Sequence, residues 1–270
     1  MIHAISTGKV RITNHWLEGK QQGIRRLANT LLDTTYTDWL PIWCYLIEEQ
    51  DRLILVDTGI SQATLQRRYF PPQMILLQNA AQFQLEPAEE IGPQIRKLGF
   101  DPNDVELVVL THLHQDHDGG LHHFPNAEFL VSRTEWEAAT GFKGRMGGYL
   151  NQLWPKTFNP QRIDFTNTPY AGFAQSYPIS ATLTLVPTPG HSSGHMALIY
   201  DTQDTRYFLI GDTAYSEHAL IHEITDGVSA DLAAAATSMR NVRASFAHDK
   251  TNVVLPSHDP QVLERLAQSA

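Results

Sequence analysis

Short apolar runs recur along the chain with polar or glycine punctuation between them: Ile42 to Ile47, Leu53 to Val56, Val105 to Leu110, Glu128 to Val131, Thr182 to Val186, Met196 to Tyr200, Tyr207 to Ile210 and Val253 to Leu255. Each is short, rich in β-branched residues and bounded by turn formers, which predicts buried strands. Helical signals lie between these runs. Ser132 with Glu135 reads as a capping box ahead of Trp136 and Ala139, and Asp231 opens an alanine-rich stretch that can run to about Phe246. Asp259 and Pro260 supply a cap and a first-turn proline before Val262, Leu263 and Leu266. Ile91, Ile95 and Leu98 have helical spacing and stop at Gly99, but Pro93 predicts a regular helix that starts only near the proline. Two series of strands with helices between them predict an α/β fold of two packed sheets covered by helices on both outer sides.

Segments 61–85 and 141–178 lack clear periodicity and mix Pro, Gly and aromatics, as lids and binding loops do. No repeat, low-complexity tract or linker divides the chain, so residues 1–270 are expected to form a single domain. With 42% hydrophobic and 18% charged residues, a sizeable core is available. Twenty Lys plus Arg against 29 Asp plus Glu give a net charge of -9, which disfavours nucleic acid and anionic membrane surfaces as partners. Cys44 is the only cysteine, so an intrachain disulfide and a cysteine-based zinc site are both excluded. No stretch is long and apolar enough to span a bilayer, and Met1 to Trp16 lacks a signal-peptide core, so a cytoplasmic location is expected. The sequence leaves the oligomeric state open and allows a homodimer.

The chain carries 13 histidines, and their positions matter more than their number. After the run ending at Leu110 comes Thr111-His112-Leu113-His114-Gln115-Asp116-His117-Asp118-Gly119-Gly120. His112, His114, Asp116 and His117 thus cluster where a buried strand gives way to a loop, and a tight turn there can aim several side chains at one point. Imidazole and carboxylate suit zinc, iron, cobalt or manganese. Gly119 and Gly120 supply the flexibility such a turn needs. His191, Asp212 and His258 each follow an apolar run in the same way. Strand ends sharing one sheet edge would gather all these residues around a cleft, enough for two metal ions joined by a bridging carboxylate and a bridging hydroxide. His3, His15, His122, His123, His218, His222 and His248 are expected to be surface or hydrogen-bonded core residues.

The pattern His112-x-His114-x-Asp116-His117 with His191, Asp212 and His258 resembles the metallo-β-lactamase superfamily, and Leu55-Val56-Asp57-Thr58-Gly59 resembles its early strand-turn element. The likeness runs from about Leu40 to Asp259. It implies an αββα sandwich with two divalent ions at one edge, zinc first, with iron, cobalt and manganese as alternatives. Asp57 then orients a ligand histidine or its loop, or simply forms the turn. Within the superfamily the chain is similar to the N-acyl homoserine lactonases, the quorum-quenching enzymes. Leu40-Pro41-Ile42-Trp43-Cys44-Tyr45-Leu46, Ser132-Arg133-Thr134-Glu135-Trp136-Glu137-Ala138-Ala139 and Asp212-Thr213-Ala214-Tyr215 carry that similarity. In those lactonases a tyrosine three residues beyond the bridging aspartate faces the metals, and Tyr215 occupies that place; an ordinary half-buried tyrosine is the competing reading.

The resemblance implies lactone opening by the bridging hydroxide, with Asp116 and Tyr215 as the catalytic residues. Tyr215 would donate to the developing oxyanion and Asp116 would carry the proton to the leaving alkoxide. Gln115 is polar where those lactonases often carry a bulky apolar residue beside the lactone ring. With Gln115, the side chains of Phe142, Met146, Tyr149, Leu153, Trp154 and Phe173 either line the substrate site or anchor their loop to the core. Cys44 reads as a small core residue. A small-molecule lactone or ester is the expected partner. The competing readings are another ester, a thioester or an organophosphate on the same metals, and, outside hydrolysis, a di-iron redox protein or a degenerate metal-binding module. Cleavage of RNA is disfavoured by the acidic charge.

Overall fold

Strand β2 (Leu40–Glu49) shows why the apolar runs become strands covered on both faces. Trp43, Tyr45 and Ile47 point to one side, Cys44 and Leu46 to the other, and all five are buried. A strand with two buried faces must lie between layers. In this computed structural model, residues 1–19, 23–66, 68–142 and 144–269 are described. Among them, with strands numbered in chain order, one sheet runs β4 (Ala81–Gln84), β1 (Ile2–Ile12), β2, β3 (Arg52–Val56), β5 (Val105–Val109), β6 (Glu128–Ser132), β7 (Gln161–Ile163). The other runs β12 (Thr251–Pro256), β11 (Thr205–Gly211), β10 (Met196–Asp201), β9 (Leu183–Pro187), β8 (Tyr177–Pro178). Both sheets are mixed: β3, β5, β6 and β7 are parallel while β4 to β3 pair antiparallel, and in the second sheet only β11 and β12 are parallel.

The sheets face each other across a core in which Tyr45, Val56 and Val109 meet Leu185, Leu198 and Leu255. Burying each such side chain contributes about 1.5–3 kcal/mol. Helices α1 (Asn14–Leu17), α2 (Gly23–Leu32) and α3 (Ile75–Ala80) lie near the N-terminal edge. Outside the first sheet, α4 (Ile91–Lys97) and α6 (Arg133–Thr140) set Ile91, Ile95 and Ala139 against Leu55 and Val108. Between them in sequence, α5 (Gln115–Asp118) is a single turn. Outside the second sheet, α7 (Glu217–His222) and α8 (Leu232–Ala244) set Leu220, Met239 and Val242 against Val186, Ile199 and Phe208. The last helix, α9 (Val262–Ser269), plugs Val262 into the core between the sheets. The expected two-sheet α/β sandwich is therefore the observed one.

Several local expectations change. Strands β1, β4, β7 and β8 had no clear apolar run to announce them. Helix α4 begins at Ile91, not near Pro93, because a proline in the first turn costs no hydrogen bond that the helix would otherwise make. Helix α8 ends at Ala244, short of Phe246. Ser132 does cap α6, accepting the Glu135 N–H at 3.0 Å, but the Glu135 carboxylate turns away from the cap. What this frame does for chemistry is simple. Strands β9 and β11 both run antiparallel to β10, so they point the same way, and β12 runs parallel to β11. Their C-terminal loops consequently emerge at one edge, where the loop after β5 also ends.

Candidate metal centre

The loop after β5 is held from beneath by Asp57, which takes a left-handed backbone (φ 60) just after β3. Its Oδ1 accepts the Thr111 N–H at 2.8 Å and its Oδ2 accepts the Thr111 hydroxyl at 2.9 Å. Helix α5 then brings Asp116 and His117 round to the side of His112 and His114. From the second sheet, Gly211 (φ 51) turns the chain at the end of β11; a Cβ there would lie 2.7 Å from His195 Nε2. That same His195 nitrogen accepts the Asp212 N–H at 3.0 Å and so fixes the start of the Asp212 loop.

His112, His114, Asp116, His117, His191, Asp212 and His258 are brought together. Their donor atoms fall into three overlapping groups, His112 with His114 and His191, His112 with His117 and Asp212, and Asp116 with His117 and His258, within 4.8 Å in each. Asp212 spans them. Its Oδ2 lies 3.4 Å from His191 Nε2, while its Oδ1 lies 3.4 Å from His117 Nε2 and 3.3 Å from His258 Nε2.

Each of the five imidazoles points one nitrogen into the cluster and gives the other to a partner. His117 Nδ1 contacts Asp57 at 2.8 Å, His191 Nδ1 contacts Asp226 at 3.1 Å, and His258 Nδ1 contacts the Pro41 carbonyl at 3.0 Å. His112 Nδ1 lies 3.1 Å from the Thr111 hydroxyl, and His114 Nε2 lies 3.2 Å from the Gly147 carbonyl. With carbonyl and carboxylate acceptors on the outside, the protons belong there and the inward nitrogens carry lone pairs. His114 Nδ1 and His191 Nε2, both inward, are only 3.1 Å apart. Two lone pairs at that distance repel unless a cation lies between them. The buried His112 Nε2, His117 Nε2 and Asp212 Oδ1 have no hydrogen-bond partner at all. Buried polar atoms left unpaired are costly, so a divalent ion is the natural occupant of this donor set.

The electrostatics agree. Burial, reinforced by neighbouring imidazoles, holds His112 well below its ordinary pKa and lowers His114 to about 4. Burial would lower His117 and His191 too, but carboxylates outweigh it. Asp212, Asp57 and Asp116 raise His117, and Asp226 with Asp212 lifts His191 to about 9. Burial likewise opposes ionisation of Asp212, yet His258 and His117 hold its carboxyl well below the usual range. Positive charge is thus favoured in this pocket, whether supplied by protons or by metal.

A cavity of about 320 Å³ opens over the cluster. Gln115, Asp116, Tyr149 and Tyr215 line it, together with an apolar wall of Val10, Ile12, Leu77, Ala81 and Phe83. Tyr215 is buried between His191 and His258, with ring centroids 6.0 and 5.3 Å away, and its hydroxyl oxygen accepts the Trp16 indole N–H at 2.9 Å. Four residues expected at the substrate site, Phe142, Leu153, Trp154 and Phe173, are elsewhere. Phe142 is fully exposed, Phe173 is buried in the core outside the second sheet, and Trp154 stacks on Trp136 while donating to Asp118 at 2.6 Å. Leu153 lines a different cavity, and the Met146 side chain lies outside the described residues. The apolar wall therefore comes from β1, β4 and α3, while segment 141–178 contributes Tyr149 and the backbone of Gly144, Gly147 and Gly148. Sequence reasoning missed Asp226, His195 and Trp16; nothing near them in the chain marks their partners.

A sequence profile described as the metallo-beta-lactamase superfamily matches residues 37–258 of the chain. The chain is 28% identical over 190 residues to an N-acyl homoserine lactonase of Bacillus cereus, covering 68% of each protein. It is 35% identical over 173 residues to the N-acyl homoserine lactonase AttM of Rhizobium radiobacter, covering 62% of this chain and 63% of that one. Its fold superposes with a TM-score of 0.78 on an N-acyl homoserine lactone hydrolase with the product N-hexanoyl-L-homoserine bound at its catalytic metal centre, at 22% identity, covering 97% of this chain and 94% of the other.

Proposed function

The chain belongs to the metallo-β-lactamase superfamily, and from that premise we propose that it is a metal-dependent hydrolase opening the ring of N-acyl homoserine lactones or closely related lactones. Its donor set would hold two divalent ions, zinc first. The observation that carries the two-ion reading is Asp212, one oxygen of which turns to His191 and the other to His117 and His258. His112, His114 and His191 would hold one ion and Asp116, His117 and His258 the other, with Asp212 within reach of both sets. The lactone substrate is supported by the similarity to the lactonases of Bacillus cereus and Rhizobium radiobacter.

When bound, ions of this kind supply Lewis acidity toward a carbonyl and bring the pKa of water near neutrality. The protein's own groups do the rest. Tyr215 keeps its phenol proton, because burial and the nearby Asp226 and Asp212 carboxylates push its pKa well above the ordinary value. Its oxygen already accepts from Trp16, so its O–H is free to donate to the substrate carbonyl oxygen as negative charge develops there. A contact of that kind lowers a barrier by about 3 kcal/mol. Asp116, the partly exposed carboxylate of the cluster, takes a proton within the cavity and delivers it to the leaving alkoxide. Val10, Ile12 and Phe83 shelter the acyl chain, and Gln115 hydrogen-bonds the amide beside the ring.

The test compares second-order rate constants for acyl homoserine lactones, simple γ- and δ-lactones, aryl esters, glutathione thioesters and phosphotriesters on one preparation. Acyl homoserine lactones are expected to lead. Tyr215→Phe should lower kcat on them by about tenfold or more, at least about 1.4 kcal/mol, with metal content intact. A non-lactone that exceeds every lactone by about a hundredfold would overturn the substrate assignment. The polar Gln115 makes a more polar ester the reading that would replace it.

A further inference from the structure

Away from the cluster at the sheet edge, a second set of nitrogen and carboxylate donors meets behind the metal loop. Glu90 immediately precedes α4, and His122 and His123 lie in the 3-10 turn Leu121–His123 that follows α5. Glu90 Oε2 is 2.7 Å from His123 Nε2 and 3.5 Å from His122 Nε2, and one donor atom from each residue lies within 4.8 Å of the other two.

Three observations set this apart from a chance ion pair. The other Glu90 oxygen, Oε1, accepts the Gln62 backbone N–H at 2.7 Å, which fixes the carboxylate with Oε2 turned toward the histidines. The His123 ring is seated against Gly92, where a Cβ would lie 2.5 Å from Nδ1, so its position depends on the missing side chain. Glu90 and His122 also line a cavity of about 640 Å³, bounded by Gln62, Tyr69, Asp118 and Trp154, that leaves room for water or another ligand on the open side. We propose that Glu90, His122 and His123 form a further metal site for a borderline divalent ion such as zinc, because they bring two imidazoles and one carboxylate together at the rim of a cavity.

The chemistry of the donors matches. Two imidazoles and one carboxylate on one side of an ion, with other positions open, is a known arrangement for first-row transition metals. Burial and the neighbouring His122 hold His123 below its ordinary pKa, so at neutral pH the ring is uncharged; an ion would take the place of the proton that Nε2 shares with Glu90 Oε2, the ring proton moving to Nδ1. Burial opposes ionisation of Glu90, but the Gln62 N–H and His123 outweigh it and keep the carboxyl below its usual range. An ion here ties the turn after α5 to the segment before α4. That turn is in contact with the main loop: Gly120 N–H donates to the Thr58 hydroxyl at 3.1 Å, and Thr58 N–H donates to the His117 carbonyl at 2.7 Å. The site therefore braces the metal loop from its far side.

The experiment counts zinc per chain by mass spectrometry after the holoprotein is dialysed against micromolar zinc. His122→Ala and Glu90→Gln are each expected to hold about one ion per chain fewer than the unaltered protein. His218→Ala, which alters the exposed histidine pair on α7, should lose none. His122 is half exposed, with 51% of its side chain accessible, so its removal leaves the fold intact. Since the readout is a difference, it is independent of how many ions the main centre takes. Equal zinc content in the unaltered protein and His122→Ala would overturn the proposal and reduce the trio to an ordinary ion pair.

Discussion

At the scale of single residues, the partners behind the histidines decide how the site behaves. The Asp226 carboxylate lies 3.1 Å from His191 Nδ1, and against the lowering effect of burial it and Asp212 lift that imidazole to about 9. In metal-free protein a raised histidine pKa stabilises the fold fully below the unfolded value, and that contribution is lost as pH rises through about 9. A metal must displace the same proton. Zinc affinity should therefore climb as pH rises toward about 9 and then level, as competition titrations against a chelator can follow. Asp226→Asn should weaken zinc about 10–100-fold at neutral pH and flatten that climb; a flat profile in the unaltered protein would contradict the argument. Trp16 offers a second case. Trp16→Phe removes the N–H that holds the Tyr215 oxygen, and kcat should fall about threefold to tenfold with KM little changed, less than for Tyr215→Phe. The histidine ligands could be read from the chain because they crowd together and follow apolar runs. Asp226 and Trp16 could not, since Trp16 and Tyr215 are 199 residues apart and meet only when the fold brings α1 to the loop after β11.

At the scale of elements, α6 shows how a correct local reading can miss the larger role. The Ser132 cap forms as its sequence suggests. Glu135, however, sends its carboxylate across to two different loops: Oε1 accepts the Leu113 N–H at 3.1 Å, and Oε2 accepts the Ser192 hydroxyl at 2.7 Å and the Gly194 N–H at 3.0 Å. The helix thereby straps the loop after β5 to the loop after β9. Gly194 is part of the fit, since a Cβ there would come within 2.1 Å of the Glu135 nitrogen. Glu135→Gln keeps the shape but turns an NH2 group toward at least one N–H or O–H donor. Leaving a buried donor unpaired costs about 1–3 kcal/mol, so the variant should show that loss in urea unfolding, with zinc bound less tightly. Unaltered stability would mean the strap is dispensable. The central strands were legible because both their faces are buried and their apolar runs are continuous. Strand β1 was not, because Ser6, Thr7, Lys9 and Arg11 interrupt it and its register shifts between Ser6 and Lys9. Its pairing of Val10 with Phe83 and of Ile12 with Ala81 makes the cavity wall, a tertiary feature that no local pattern carries.

At the scale of the whole molecule, the centre sits where two sheets must be held together at one edge. His112, His114, Asp116 and His117 come from the first sheet, and His191, Asp212 and His258 from the second. Ions bound by both sets would cross-link the sandwich, in addition to the apolar core between the sheets. Removing them does more than subtract a binding energy. It leaves His114 Nδ1 and His191 Nε2 3.1 Å apart, kept from repelling only while His191 retains its proton, and buried atoms of His112, His117 and Asp212 without partners. A ligand present at about a thousandfold over its dissociation constant stabilises the fold by about 4 kcal/mol, and each kcal/mol moves the melting temperature of a domain this size by about 2–4 °C. Chelation should accordingly lower the melting temperature by roughly 10 °C or more. Added zinc should restore it, whereas magnesium should not, since magnesium demands oxygen ligands in octahedral array. Repeating the comparison in His122→Ala separates the sheet-edge cluster from the Glu90 trio, because only the former is left to respond. A melting temperature unchanged by chelation, in protein that mass spectrometry shows to be free of metal, would mean that the apolar core alone holds the sheets in register and that the cluster tolerates its unpaired donors at no cost to the fold.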